Sequence, residues 1–372
     1  MKNLKALRFS IFVIYFWLNQ FPTLLKLNLN FLKKASFSNN ELFPMNLTNE
    51  FNIVAVIVTY QPKFEPLNQL LTALIHQVDQ IVIIDNASDV SIEAWQTQHQ
   101  IVKTKIITLK ENQGIASAHN IGILWAQNIG AEFVLLMDQD SIPALNMVET
   151  LRLAYLQAVT HFNKQPIAAG PICIDTRSSR KSFFVIEQNG VPMRWRLKSN
   201  LPPYDFLNEV SFLISSGTLI NLKALLNTGG MRSNYFIDHV DTEWCFRARA
   251  KGYVLLGVPN ANMKHTLGDK VKNIWFFGWR QVSYHTPLRD YYMFRNTLLL
   301  FRDVKTTLLW RFYLIWRLMQ FLIYFLIFSS QRLHRLYLIL LGIKHGLLGV
   351  SGKLDVKTSK CTLIPISDID PN

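Results

Sequence analysis

The chain has 372 residues, 49% of them hydrophobic and 12% aromatic, which supports a sizeable core and excludes an intrinsically disordered polymer. Its three cysteines, Cys173, Cys245 and Cys361, stand far apart, which excludes a disulfide framework and a CxxC metal site. A formal net charge of +14 points to an anionic partner, whether nucleic acid, phospholipid headgroups or a phosphorylated substrate.

Three parts follow one another: a leader over 1–49, one α/β domain over 50–300, and a hydrophobic, basic tail over 301–372. In the leader, the uncharged run Ile11 to Leu18 follows Lys2, Lys5 and Arg8. This imitates a signal peptide, yet no clear small-residue cleavage site follows. The run is also shorter than the ~20 apolar residues that a bilayer needs. Lys26, Lys33 and Lys34 favour an interfacial amphipathic segment. The alternative is a leader that is not native, with translation starting at Met45.

The middle alternates strand and helix signals. Apolar runs at 51–58, 81–84, 101–109 and 133–137 read as buried parallel strands. Helical spacing covers 66–78 and 115–129. The alternation predicts a mostly parallel, Rossmann-like sheet flanked by helices, with ligands beyond the carboxyl ends of its strands. The tail, from Leu308 to Leu348, is rich in Leu, Ile, Phe, Tyr and Trp and is punctuated by Arg and Lys. Its longest uncharged run, Leu318 to Ser330, is too short for a transmembrane helix. A basic amphipathic hairpin in the headgroup layer accounts for both features, against the alternative of a helical subdomain packed on the core.

Polar residues cluster at the ends of the apolar strands: Thr59-Tyr60, Asp85-Asn86 and Asp138-Gln139-Asp140. Residues two apart in an extended segment point the same way. Asp138 and Asp140 would therefore repel unless a cation lay between them, and hard oxygen ligands suit Mg²⁺ or Mn²⁺. After 101–109, the segment Asn112 to Gly122 opens a helix with small residues at Gly114, Ala116 and Ala118. These permit close approach of a ligand or of a packing neighbour. Further on, Asp238, Asp241 and Glu243 cluster, with Arg247 four residues beyond Glu243. They read either as a solvated helix start or as the source of a general base. His265 follows the strand-like 254–258 and becomes a candidate metal ligand beside the aspartate pair.

In this order, 56–60, 85–88, 112–122, 138–140, 216–220 and the Asp241/Glu243/Arg247 segment resemble the family 2 glycosyltransferases of GT-A fold. Among these the chain looks most like bacterial rhamnosyltransferases of O-antigen and lipopolysaccharide biosynthesis. The resemblance covers roughly residues 52–300. It implies that Thr59, Tyr60 and Asp85, with Asn86 alongside, hold the nucleotide. It implies a donor site lined by Asn112, Gly114, Ala118 and Asn120. Asp138 would contact ribose or metal, and Asp140 and His265 would complete a Mn²⁺ or Mg²⁺ site. Asp241 aligns with the catalytic base, with Glu243 and Asp238 as alternates. Arg295-Asn296 matches a further family pattern.

The resemblance further implies an inverting transfer from a nucleotide sugar, with dTDP-L-rhamnose as the expected donor. The expected acceptor is a polyprenyl-diphosphate-linked saccharide, met by a peripheral enzyme at the cytoplasmic face of the inner membrane. A UDP-hexose donor and a non-catalytic membrane scaffold are the alternatives. No nucleic-acid-binding motif occurs, and no QxxRW motif of processive synthases is present.

Overall fold

The structure is a computed structural model that describes residues 52–99, 104–161, 163–177, 179–195, 209–265, 270–275, 279–329 and 331–355. The expectations for the leader, for Cys361 and for the end of the tail fall outside the described residues.

Branched aliphatic runs form the central strands because both of their faces are covered. These are β1 (Ile53–Thr59), β2 (Gln80–Asp85), β3 (Thr104–Thr108) and β4 (Phe133–Asp138). Between them run α1 (Phe64–Leu74), α2 (Ile92–His99) and α3 (Ile115–Asn128). The short β5 (Ile142–Pro143), α4 (Met147–His161) and β6 (Pro166–Asp175) follow. Then come β7 (Phe184–Gln188), β8 (Val191–Trp195), β9 (Val210–Phe212) and β10 (Thr218–Asn221). The domain continues with α5 (Leu222–Thr228), α6 (Val240–Ala250) and β11 (Val254–His265).

Eight strands make one sheet in the order β3-β2-β1-β4-β10-β6-β11-β5. β3, β2, β1 and β4 are mutually parallel, as the alternating pattern predicts. β10 is inserted antiparallel between β4 and β6, and β11 runs parallel to β6. Helices cover both faces. Leu67, Leu70, Leu71 and Leu74 of α1 and Leu151 and Tyr155 of α4 pack on one. Ala116, Ala118 and Ile123 of α3, Leu225 of α5 and Trp244 of α6 pack on the other. β8, β7 and β9 form a second, smaller sheet.

After β11 come the hairpin strands β12 (Lys270–Trp275) and β13 (Trp279–Tyr284). Three helices close the described chain: α7 (Pro287–Asp303), α8 (Leu308–Phe328) and α9 (Arg332–Leu348). α7 runs across residue 300, where the sequence pattern set a boundary. α9 lies so close on α7 that a Cβ at Gly342 would stand 2.5 Å from the Tyr291 carbonyl oxygen. A fully buried ion pair, Arg335 with Asp290, joins the two helices, and the Arg335 guanidinium also stacks over the Phe325 ring. α8 is longer than the uncharged run in its sequence because Arg311 and Arg317 lie within it. Among the described residues it is the one helix long and apolar enough to cross a membrane.

Candidate active site

The sheet register gathers the polar strand ends at one rim. Thr59 pairs with Asp85, and Val58 with Asp138, so the carboxyl ends of β1, β2 and β4 finish together. Thr59 and Asp85 are buried there. The Asp85 carboxylate accepts from the Thr59 hydroxyl at 3.0 Å and from the Ser88 hydroxyl at 2.6 Å. Next to them Tyr60 is 48% exposed. Gln139 pins its backbone from both sides, accepting from Tyr60 N at 2.8 Å and donating to Tyr60 O at 3.2 Å. The residue between the two aspartates thus ties β4 to β1, a part that the sequence pattern did not signal.

Asn86 and Asn112 bond to each other at 3.1 Å, and they accept from Gln113 N and Gly114 N respectively. Their amides shape the turn into α3. Ala118 is buried against the sheet and offers no surface to a donor. Asn120 spends its amide on both backbone groups of Met231. Ala118 thus serves helix-on-sheet packing, and Asn120 ties α3 to the segment at Met231. Gly114 differs from them. Its φ of +84° and its position against Phe236 make it the hinge at which α3 meets the acidic segment.

Asp138, Asp140 and His265 come together, with one potential ligand atom from each lying within 4.8 Å of the others. β11 carries His265 there by running on past Val258 through an irregularity in its pairing with β6. His265 Nδ1 lies 3.8 Å from Asp140 and 2.7 Å from the Ser141 hydroxyl. Ser141 in turn accepts from Ser216 at 2.8 Å, and Ser216 accepts from Asp138 N. This serine pair orients the cluster. Ser216 lay within a recognised motif but had no assigned part, and nothing in the sequence singled out Ser141. Burial pushes the Asp138 carboxyl above its ordinary range. His265 opposes this, Asp140 adds to it and Arg289 opposes it. Two converging carboxylates and one imidazole fit a hard divalent cation such as Mn²⁺ or Mg²⁺.

The acidic segment lies on the other side of Gly114. Phe236, Asp238 and His239 all have positive φ, a costly conformation for non-glycine residues. Asn296, fully buried on α7, holds this loop by donating toward the carbonyls of Tyr235, Ile237 and Asp238. Arg295 donates to Tyr235 O as well. The three carboxylates then divide. Glu243 is 0% exposed and bound by Arg232 and Arg247, each at 2.8 Å, so it offers no lone pair toward solvent. Asp238 pairs with Arg289 at 3.1 Å. Asp241 lies in the first turn of α6. Burial pushes its carboxyl up to about 6, hydrogen bonds from Thr242 and Ser215 oppose the rise, and the nearby Asp238 charge adds to it.

A mostly parallel α/β sheet whose rim gathers a carboxylate–imidazole cluster has the GT-A arrangement of a glycosyltransferase. The profile of Glycosyl transferase family 2 matches residues 54–217. The chain is 34% identical over 259 residues to dTDP-rhamnosyl transferase RfbF of Shigella flexneri, spanning 69% of this chain and 82% of the relative. It belongs to glycosyl transferase family 2. Solved structures similar to it include S. aureus TarS 1-349 in complex with UDP-GlcNAc, with a TM-score of 0.49, 14% identity and coverage of 81% of this chain and 82% of that one. GalNAc-T7 with UDP, GalNAc and Mn2+ follows with a TM-score of 0.47, 15% identity and coverage of 58% of this chain and 43% of that one. This chain thus spans less than half of the GalNAc-T7 chain.

Proposed function

We propose that this glycosyltransferase moves L-rhamnose from dTDP-L-rhamnose, with inversion, onto a hydroxyl of a polyprenyl-diphosphate-linked saccharide. It does so as a peripheral enzyme at the cytoplasmic face of the inner membrane, in O-antigen or lipopolysaccharide assembly. The observation that carries the reading is the Asp138–Asp140–His265 cluster at the strand-end rim. The 34% identical relative, a dTDP-rhamnosyl transferase, supports the sugar.

Thr59, Tyr60 and Asp85 bind the nucleoside at the rim, with Tyr60 supplying an exposed ring. Asp138, Asp140 and His265 would hold a divalent cation, which would offset charge on the diphosphate. Asp241 takes the proton of the acceptor hydroxyl. The acceptor oxygen then bonds to the anomeric carbon from the face opposite the donor's phosphate oxygen. The carbon–oxygen bond to phosphate breaks, and dTDP leaves with the electron pair. Arg289, resting on Asp238 and within electrostatic reach of Asp138, is the protein's own cation for that leaving charge.

The test is transfer by the full chain from dTDP-L-rhamnose to lipid-linked saccharide and to the same saccharide free in water. Faster transfer to the lipid-linked form, with inverted anomeric configuration in the product, supports the reading. Equal rates on the two acceptors would overturn the lipid-linked acceptor, and retained configuration would overturn the single displacement.

A further inference from the structure

Helix α8 is built inside out for a helix on a water-exposed surface. Trp310, Leu314 and Phe325 pack against the domain. The opposite, outward face carries Leu308, Phe312, Ile315, Met319, Ile323 and Ile327, all exposed, with Leu308 at 82% and Phe312 at 68%. At about 100° per residue these side chains fall within one arc of roughly 120°, where a soluble helix would place its polar residues. α9 adds a second apolar row, Leu333, Leu340 and Leu347, spaced by seven residues. An exposed apolar arc of this length on α8 marks a contact site.

Charge identifies the partner. Between Asp303 and Asp355 the sequence has no Asp or Glu. The same stretch carries the exposed Lys305, Arg332, Lys344 and Lys353. Two copies of the chain meeting on this face would bring like charges together. Anionic headgroups would neutralise them while the acyl boundary took up the apolar arc. The orientation follows from what α8 already holds. The Trp310 indole donates to Glu187 at 2.9 Å and its ring packs edge-on against Phe212 and Phe246. A helix crossing the bilayer would have to break these contacts, whereas one lying in the surface keeps them.

We infer that the outward face of α8 docks flat on an anionic lipid bilayer and seats the enzyme beside its membrane-borne acceptor. This inference rests on the lipid-linked acceptor reading and names the surface that reading needs.

Flotation of the full-length protein with phosphatidylcholine vesicles, with and without phosphatidylglycerol, tests it. The wild type should float with the anionic vesicles, and the doubly substituted Phe312→Glu, Ile323→Glu protein should bind at least about tenfold less. Both substituted side chains are exposed, so melting temperature and dTDP release from donor should stay at wild-type values. Quenching of tryptophan fluorescence by brominated acyl chains should fall in Trp316→Phe, because Trp316 lies on the same arc. The inference is overturned if the double variant floats as well as wild type or if quenching is unchanged in Trp316→Phe. It is also overturned if the wild type ignores anionic vesicles and forms an oligomer that the double variant breaks. Vesicle binding without donor turnover by the wild type would support docking and reject the transfer reading.

Discussion

A Cβ placed on Gly114 would lie 2.5 Å from the carbonyl oxygen of Phe236, the same oxygen that accepts a hydrogen bond from Ile115 N. This contact joins the start of α3, beside the nucleotide rim, to the strained loop that leads to Asp241. Gly114→Ala should therefore do more than strain one residue. With φ at +84° and backbone in the way, a loss of about 2 kcal/mol or more is expected in denaturant unfolding. Turnover should fall with it because the two halves of the site shift apart. An unchanged midpoint would contradict the packing described.

Asp241→Asn should lower kcat by about 10²–10⁴-fold, the usual range for loss of a positioned base, and leave donor binding intact. Wild-type activity should rise with pH through about 6, where the carboxyl ionises. The linkage to stability has the opposite sign. The folded value lies above the ordinary 3.8, so the folded state binds the proton more tightly and loses stability as pH climbs from about 4 through about 6. Asp241→Asn should thus match wild type in melting temperature near pH 4 and exceed it at neutral pH. A variant that kept wild-type turnover would remove Asp241 from the chemistry.

Glu243→Gln should behave differently. It leaves Arg232 and Arg247 without their shared anion, a loss of about 3 kcal/mol for a broken buried pair. Melting temperature should fall, while the protein that remains folded should bind dTDP with wild-type affinity. Weakened dTDP binding at full stability would place Glu243 in the site after all.

β1, β2, β4 and α3 follow from runs whose period and length leave little choice, and their rim residues follow from the rule for parallel sheets. The antiparallel β10 was not legible, because its four residues carry no periodic signal. Ala118 has the composition of a ligand-lining helix, yet composition does not say that its side of the helix meets the sheet. Asn296 was visible as half of a pattern, but its hold on three carbonyls sixty residues upstream is a tertiary fact. Arg289 carried no sequence signal at all.

Asn296→Ala should cost about 2 kcal/mol, since the carbonyls of Ile237 and Asp238 lose the amide while Tyr235 O keeps Arg295 as a donor. Its kinetic signature should be a lower kcat with a nearly unchanged KM for donor, because the loop it holds carries the acceptor side of the site. A variant with a normal kcat would show that the loop keeps its shape unaided.

Whether a cation at the Asp138–Asp140–His265 rim holds the proposed donor is read by titrating the full chain with dTDP-L-rhamnose and a panel of UDP-sugars, with Mn²⁺, with Mg²⁺ and with chelator, in wild type and in Asp140→Ala. Binding should prefer dTDP-L-rhamnose, need the cation and be lost in Asp140→Ala. Equally tight binding in chelator, or in the folded Asp140→Ala variant, would show that the rim does not hold the donor through a metal.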